Sequence, residues 1–424
     1  MTVRPIPPLR RRLEGVRVQV PASKSVANRE LVLSALASGT SRLGLGLLDP
    51  GDDVRAMREA LVRLGFGVEQ DAKGTLTVTG GAGAVPALKA SIDARDAGTV
   101  ARFVTALAAL AGGPVTIDGS ARLRERPIAP LAAALRQLGG AVDGDRLPLT
   151  IDAPIAGGEV TIAGNESSQF ASALLLVAPA LPRGLRLRIS GGLVSAPFVE
   201  LTIAALAARG VTVERTGTHA YAVAPQRVKA RSLRIPADVT AATYPAAAAA
   251  ILGGSVTVEH VDARERAGTQ GDVRFFTILE RMGCSVTRRD DSVTVKRSGS
   301  LFGVIADLRD CSDVFPTLAV VAACASTPSE LLGVGHTRLQ ESDRIAAVAA
   351  GLRALGGEVI ESSDGLRVLP RPLRGGAVDA AGDHRIAMAF SILGLEVPGV
   401  GIEGSDAVTK TFPDFYRMLK GLGH

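Results

Sequence analysis

The chain contains no tryptophan, and aromatic residues fill only 3% of its 424 positions. A surface that stacks nucleobases needs aromatic rings, so nucleic acid is not the expected partner. Cysteine is scarce too. Cys284, Cys311 and Cys324 are odd in number and show no CxxC spacing. That argues against a disulfide framework or a zinc site and fits a reducing cytoplasm. The five histidines form no HExxH pattern, and no metal is expected. Apolar runs such as 314–325 fall well short of the roughly 20 residues that span a bilayer. The N-terminal arginines are not followed by the apolar stretch of a secretory signal, so no membrane association is expected.

What is present is a positive balance of small, scattered charges. Lys and Arg number 48 against 42 Asp and Glu, for a net charge of +6. Apart from Arg10-Arg11-Arg12 the cations are not run together, which favours small anions over extended polyanions as ligands. A hydrophobic content of 46% and 48 glycines fit a large α/β chain with ample core and short turns.

The stretch Pro21-Ala22-Ser23-Lys24-Ser25-Val26-Ala27-Asn28-Arg29 reads as a strand end, a turn and an apolar helix over 30–37. Ser23 or Ser25 is placed to cap that helix, with Lys24 at its mouth and Arg29 one turn from Ser25. A helix N-terminus with added cations suits phosphate or carboxylate. A capped helix with two solvated cations would give the same pattern.

The device recurs. Glycines that close charged, periodic helices stand at 65, 139, 210, 283, 356 and 423, a period of roughly 70 residues. Strands are predicted after the first five, including Val211-Thr212-Val213 after Gly210. A second series interleaves: polar loops at 23–25, 96–99, 166–169, 238–240, 312–313 and 383–385 each open a helix of small apolar residues. These helices are apolar all round and are expected to be buried. The pattern is six repeated units with polar helix starts, which can converge on one place. Arg126, Arg344, Arg385 and Lys410 are all expected at helix starts, where cations oppose the macrodipole unless anions bind there.

At this point the motifs are those of a family. PASKSVANR (21–29), DAGTVARF (96–103), RERPIAPL (124–131), ESSQF (166–170), VSAPF (194–198), QGDVRF (270–275), SDVFPT (312–317), QESDRI (340–345), GDHRIAMAF (382–390) and TKTFPDF (409–415) run in order along the whole chain. Together they resemble the 5-enolpyruvylshikimate-3-phosphate synthases. The resemblance implies an α/β fold of two similar domains, an inside-out α/β barrel. Each domain would hold three βαβαββ-like units with buried helices, and the site would lie in the interdomain cleft. One domain would span 22–236, and the other 1–21 plus 237–424.

The implied reaction moves the enolpyruvyl group of phosphoenolpyruvate to the 5-hydroxyl of shikimate 3-phosphate and releases phosphate, with no cofactor, in a monomer. Both substrates are small polyanions, which Arg neutralises with a bidentate fork. By resemblance Lys24, Gly98, Arg126, Gln169, Arg344, Arg385 and Lys410 hold phosphoenolpyruvate, whose place glyphosate also takes. Lys24, Ser25, Arg29, Ser167, Ser168, Gln169, Ser195, Asp313, His336 and Gln340 hold shikimate 3-phosphate. Asp313 would be the general base, Glu341 the proton-transfer group at the methylene carbon, and Lys24 would touch both substrates.

Four positions depart from the family's pattern: Gln340 for Lys, His336 for Asn, Asp96 for Asn and Phe198 for Tyr. Gln340 and Asp96 make the site less positive. A divergent enolpyruvyl transferase with another acceptor therefore stays open. So does a non-catalytic scaffold for anionic metabolites, although such a binder gains nothing from carboxylates in its site. The sister family acting on UDP-N-acetylglucosamine uses a loop Cys, and 119–126 holds none.

Overall fold

Strands of Leu185–Ser190 alternate buried and exposed along their length, with Leu185, Leu187 and Ile189 inward and Arg186 and Arg188 outward. That period of two gives a sheet with one face on a core and one on solvent. In the computed structural model, which describes residues 3–9, 11–152 and 154–423, this pattern builds six separate small sheets. Arg10 of the basic run lies outside the described residues. The chain divides into two compact units. The N-terminal unit is Ala22–Ile235 with Ala267–Thr269, and the C-terminal unit is the segment ending at Pro21 with Pro236–Arg266 and Gln270 onward.

In the N-terminal unit, the strands Ala90–Asp93 and Val115–Asp118 pair in parallel, Ala90 opposite Val115. The crossover between them is the helix Gly98–Ala108. An outer helix, Ala129–Gln137, and the antiparallel strands Val142–Asp143 and Leu149–Ile151 complete the repeat. Gly158–Ala163, helix Ser168–Val177, Leu185–Ser190, helix Pro197–Ala207, Glu214–Gly217 and Ala220–Val223 form the next. The remaining sheet borrows its first strand from the far end of the unit, where Ser232–Arg234 runs parallel to Ser38–Gly44.

The C-terminal unit repeats the plan. Its first sheet borrows Leu13–Val18, parallel to Gly254–Glu259. Its last sheet has three strands, with Val3–Pro5 antiparallel to Val400–Glu403 in place of a hairpin.

Each unit keeps three helices inside: Lys24–Leu36, Gly98–Ala108 and Ser168–Val177 in one, Val239–Leu252, Phe315–Ala323 and His384–Gly394 in the other. Every residue of Val239–Leu252 is buried. Alanine, which is small and loses no side-chain entropy, lets helix and sheet approach closely on all sides. The charged helices lie outside. Glycines 65, 139, 210, 283 and 356 end them with left-handed φ between 79° and 99°, a conformation with little cost only for glycine.

Two expectations need correction. The first core helix begins at Lys24, not at residue 30, so Lys24 and Ser25 form its first turn and Arg29 lies inside it. Val211-Thr212-Val213 is not a strand. The side chain of Gln226 accepts from the Thr212 N–H at 2.8 Å and donates to its carbonyl at 3.0 Å, occupying the backbone groups a neighbouring strand would need. The strand starts at Glu214.

Candidate active site

Within the N-terminal unit, side chains tie the N-terminal halves of the three core helices to one another. Asn28 Nδ2 donates to Thr99 Oγ1 at 2.9 Å, and Arg29 Nη2 donates to Ser172 Oγ at 3.2 Å. Those bonds bring the Lys24, Gly98 and Ser168 ends of the helices together. Ser167 caps the third helix, its hydroxyl accepting from the Gln169 N–H at 3.2 Å. Ser168 is buried at the first helical position, and Gln169 is half-buried beside it. Ser195 holds a left-handed φ of 53° just before the helix Pro197–Ala207. That is a strained state for a residue with a side chain.

Lys24 Nζ lies 2.8 Å from Asp53 Oδ2, and both groups are largely buried. Arg29 is only 2% exposed, and its hydrogen-bond partners among the described residues are all uncharged. They are Thr202 Oγ1 at 2.8 Å, the Ser25 carbonyl at 2.7 Å, Ser172 and the Phe198 carbonyl. Burial alone pulls its guanidinium down to about 9. Close to Gly98 stands Arg126. A Cβ built on Gly98 would lie 2.6 Å from Arg126 Nη2 and 3.0 Å from Cζ. Arg126 is the residue that ends a short helix, Ala121–Glu125, which sequence reading did not find, and the next helix starts at Ala129.

The C-terminal unit arranges its charges differently. Arg344, 1% exposed, is the first residue of the helix Arg344–Ala354. It donates to Asp383 Oδ2 at 2.8 Å, Asp313 Oδ1 at 2.8 Å and Glu341 Oε2 at 2.9 Å. Burial works against its charge, but Asp383, Glu341 and Asp313 more than offset it and hold the guanidinium above its usual value. Arg385 donates to the other Asp313 oxygen at 2.7 Å. Glu341 Oε1 lies 3.6 Å from Lys410 Nζ.

Asp313, Glu341, Arg344, Arg385 and Lys410 are thus one connected cluster. Gln340 joins it, since its amide oxygen accepts from Arg344. The amide is therefore an acceptor for the arginine, and a lysine there would set cation against cation. His336 Nε2 is 2.9 Å from Ser312 Oγ, next to Asp313, and burial lowers its imidazole.

Lys410 departs from expectation. It ends the 3₁₀ turn Ser405–Lys410, five residues before the helix Phe415–Gly421. A cation at that end complements the local dipole, so the argument from helix starts holds for Arg344 and Arg385 but not for Lys410, nor for Arg126, which ends the helix Ala121–Glu125.

The family profile described as "EPSP synthase (3-phosphoshikimate 1-carboxyvinyltransferase)" matches residues 9–419. The chain is 40% identical over 411 residues to the 3-phosphoshikimate 1-carboxyvinyltransferase of Methanosphaerula palustris, covering 95% of this chain and 96% of that one. The chain belongs to the EPSP synthase family.

The same name is carried by a Thiobacillus denitrificans relative, 41% identical with 97% of each chain covered. The solved EPSP synthase of Acinetobacter baumannii superposes with a TM-score of 0.82 at 25% identity, covering 99% of this chain and 98% of that one. As a family member the chain is a transferase of the shikimate pathway, which leads to chorismate and the aromatic amino acids.

Two carboxylates of the candidate site were not named as site residues from the sequence. Asp53 sits in the first turn of an outer helix, where an acid reads as a dipole partner. Asp383 caps His384–Gly394, which hides its bond to Arg344. Among the described residues no helix is long and apolar enough to cross a membrane, and no group of His, Cys, Asp and Glu could hold a metal ion.

Proposed function

We propose that the family's enolpyruvyl transfer is carried in this chain by residues drawn from both units. Arg344, Arg385 and Lys410, with Arg126, Lys24, Gln169 and the Gly98 backbone, bind phosphoenolpyruvate. Lys24, Ser25, Arg29, Ser167, Ser168, Gln169, Ser195, His336 and Gln340 bind shikimate 3-phosphate. Asp313 takes the proton of the 5-hydroxyl as that oxygen attacks C2 of phosphoenolpyruvate. Glu341 delivers a proton to C3. The cations stabilise the tetrahedral intermediate, which loses phosphate and a C3 proton to restore the double bond.

The observation that carries this reading is the placement of both carboxylates. Asp313 and Glu341 bind the same Arg344, so the proton carriers sit against the cation that would hold the phosphoenolpyruvate anion. Arg29 supports the acceptor half. A buried guanidinium with neutral partners is stabilised by an incoming anion. The test is phosphate release from phosphoenolpyruvate with shikimate 3-phosphate as acceptor. Binding of both substrates with no phosphate released would overturn it in favour of a binding scaffold. Turnover only with a different acceptor would overturn the acceptor assignment.

Gly98 gives a further expected result. An alanine there must push the Arg126 guanidinium aside by a few tenths of an ångström or more. Phosphoenolpyruvate is short, and glyphosate is longer along the same axis. Gly98→Ala should therefore raise the inhibition constant for glyphosate by more than it raises the KM for phosphoenolpyruvate. Steady-state inhibition measures both, and an equal change in the two would reject this account.

A further inference from the structure

Asp313 has a difficulty: both its oxygens are engaged by arginines, Oδ1 by Arg344 and Oδ2 by Arg385. A base must free an oxygen to reach a hydroxyl proton. Freeing it deprives Arg385, buried in the helix His384–Gly394, of its carboxylate. A second carboxylate is close by. Asp272 lies in the turn Gly271–Val273, which packs against the turn Ser312–Val314 that carries Asp313.

Asp272 is 1% exposed. One oxygen is bonded by the hydroxyl of Thr240, in the first turn of the core helix Val239–Leu252. The other, Oδ1, is buried with no hydrogen-bond partner among the described residues, and the same is true of Arg385 Nε. A donor and an acceptor are therefore both buried and unused, on two groups that act on each other electrostatically. An unmet buried group costs free energy, so this pair favours any motion that joins it.

We propose that Asp272 is a positioning residue for the transfer: its carboxylate takes up Arg385 when Asp313 turns from the arginines to the acceptor hydroxyl. This rests on the reading of Asp313 as base. No bond is made or broken by Asp272 itself. It keeps Arg385 compensated and in place while the proton passes from the hydroxyl to Asp313.

The hand-over needs Asp272 ionised. Burial first, and then Asp313, pushes its carboxyl up to about 7, with Arg385 and the Thr240 hydroxyl acting against the rise. The other groups facing it are Asp238, which caps Val239–Leu252, and the Cys311 thiol, which precedes the Asp313 turn. Arg274, which follows the Asp272 turn, is bonded to Asp310. As pH falls through that value Asp272 takes a proton and can no longer receive Arg385, so turnover falls on the acid side.

The experiment is kcat against pH at saturating substrates, for wild type, Asp272→Asn and Thr240→Val. Wild type should show an acid limb centred near neutrality. Asp272→Asn keeps the Thr240 bond but not the charge. It should lose that limb and turn over roughly tenfold more slowly at pH 8. Thr240→Val removes a bond that favours the ionised form and should move the limb to higher pH. A merely structural Asp272 would lower the melting temperature and leave the limb in place, and that result overturns the proposal. So does a wild-type profile with no such limb. If Asp272→Asn does not fold, the Thr240→Val limb decides alone, a shift supporting the proposal and no shift overturning it. Wild-type phosphate release reports separately on the reaction itself.

Discussion

Asp313→Asn should give a folded protein whose turnover is lower by roughly 10²-fold or more. Asp313 is not a helix cap: it is the middle residue of the turn Ser312–Val314, and its carboxylate is spent on Arg344 and Arg385. Asparagine keeps the size and one acceptor oxygen, so one arginine keeps its bond. Arg344 also retains Asp383 and Glu341, which limits the structural loss. What asparagine cannot do is accept a proton. Circular dichroism should match wild type, and shikimate 3-phosphate should still bind by calorimetry while phosphate release collapses. Near-normal turnover in the purified variant would remove Asp313 from the mechanism and with it the hand-over to Asp272.

The largest stability effect is expected at Arg209→Met. Arg209 and Glu30 are both buried, their side chains 0% and 3% exposed, at 2.6 Å. Glu30 lies in the core helix Lys24–Leu36, and Arg209 ties it to Ser34 Oγ at 2.8 Å, Ser41 Oγ at 3.2 Å and the Lys229 carbonyl at 3.2 Å. Burial pulls the Arg209 guanidinium below its usual value even with Glu30 beside it. Removing the arginine alone strands a carboxylate in the core, which costs about 3–5 kcal/mol. Adding Glu30→Leu to Arg209→Met removes the stranded charge and should recover most of that loss. Denaturant unfolding of the three proteins measures both changes. The expectation fails if the single variant loses no more than about 1 kcal/mol, the range of an exposed pair.

The sequence was most legible where the signal is local. Core helices announce themselves as runs of alanine and small apolar residues, as in Val239–Leu252, because a helix buried on all sides has no polar face to show. Glycines closing the charged helices mark the repeat, because a left-handed residue must end the helix before the chain returns to a strand. Legibility failed where a partner sits far along the chain. Ser232–Arg234 completes a sheet begun at Ser38, and Leu13–Val18 completes one at Gly254. Strand pairing of that kind leaves no local mark, because each strand reads the same whichever neighbour it finds. The absent strand at Val211 failed for the same reason, since its backbone is satisfied by Gln226.

The candidate residues divide along the same line. Sequence alone identified the polar helix starts, and through ordered motifs it named the family and the candidate residues. Only the tertiary structure decided their electrical state. Arg29 and Arg344 are the same residue type in the same kind of motif. One is buried among hydroxyls and carbonyls and is pulled below its usual value, while the other is bonded to three carboxylates and held above it. The difference lies in Asp313 and Asp383, tens of residues from Arg344 in the chain and 2.8 Å from it in space. Charge acts through distance and burial, and neither is written at the position of the arginine itself.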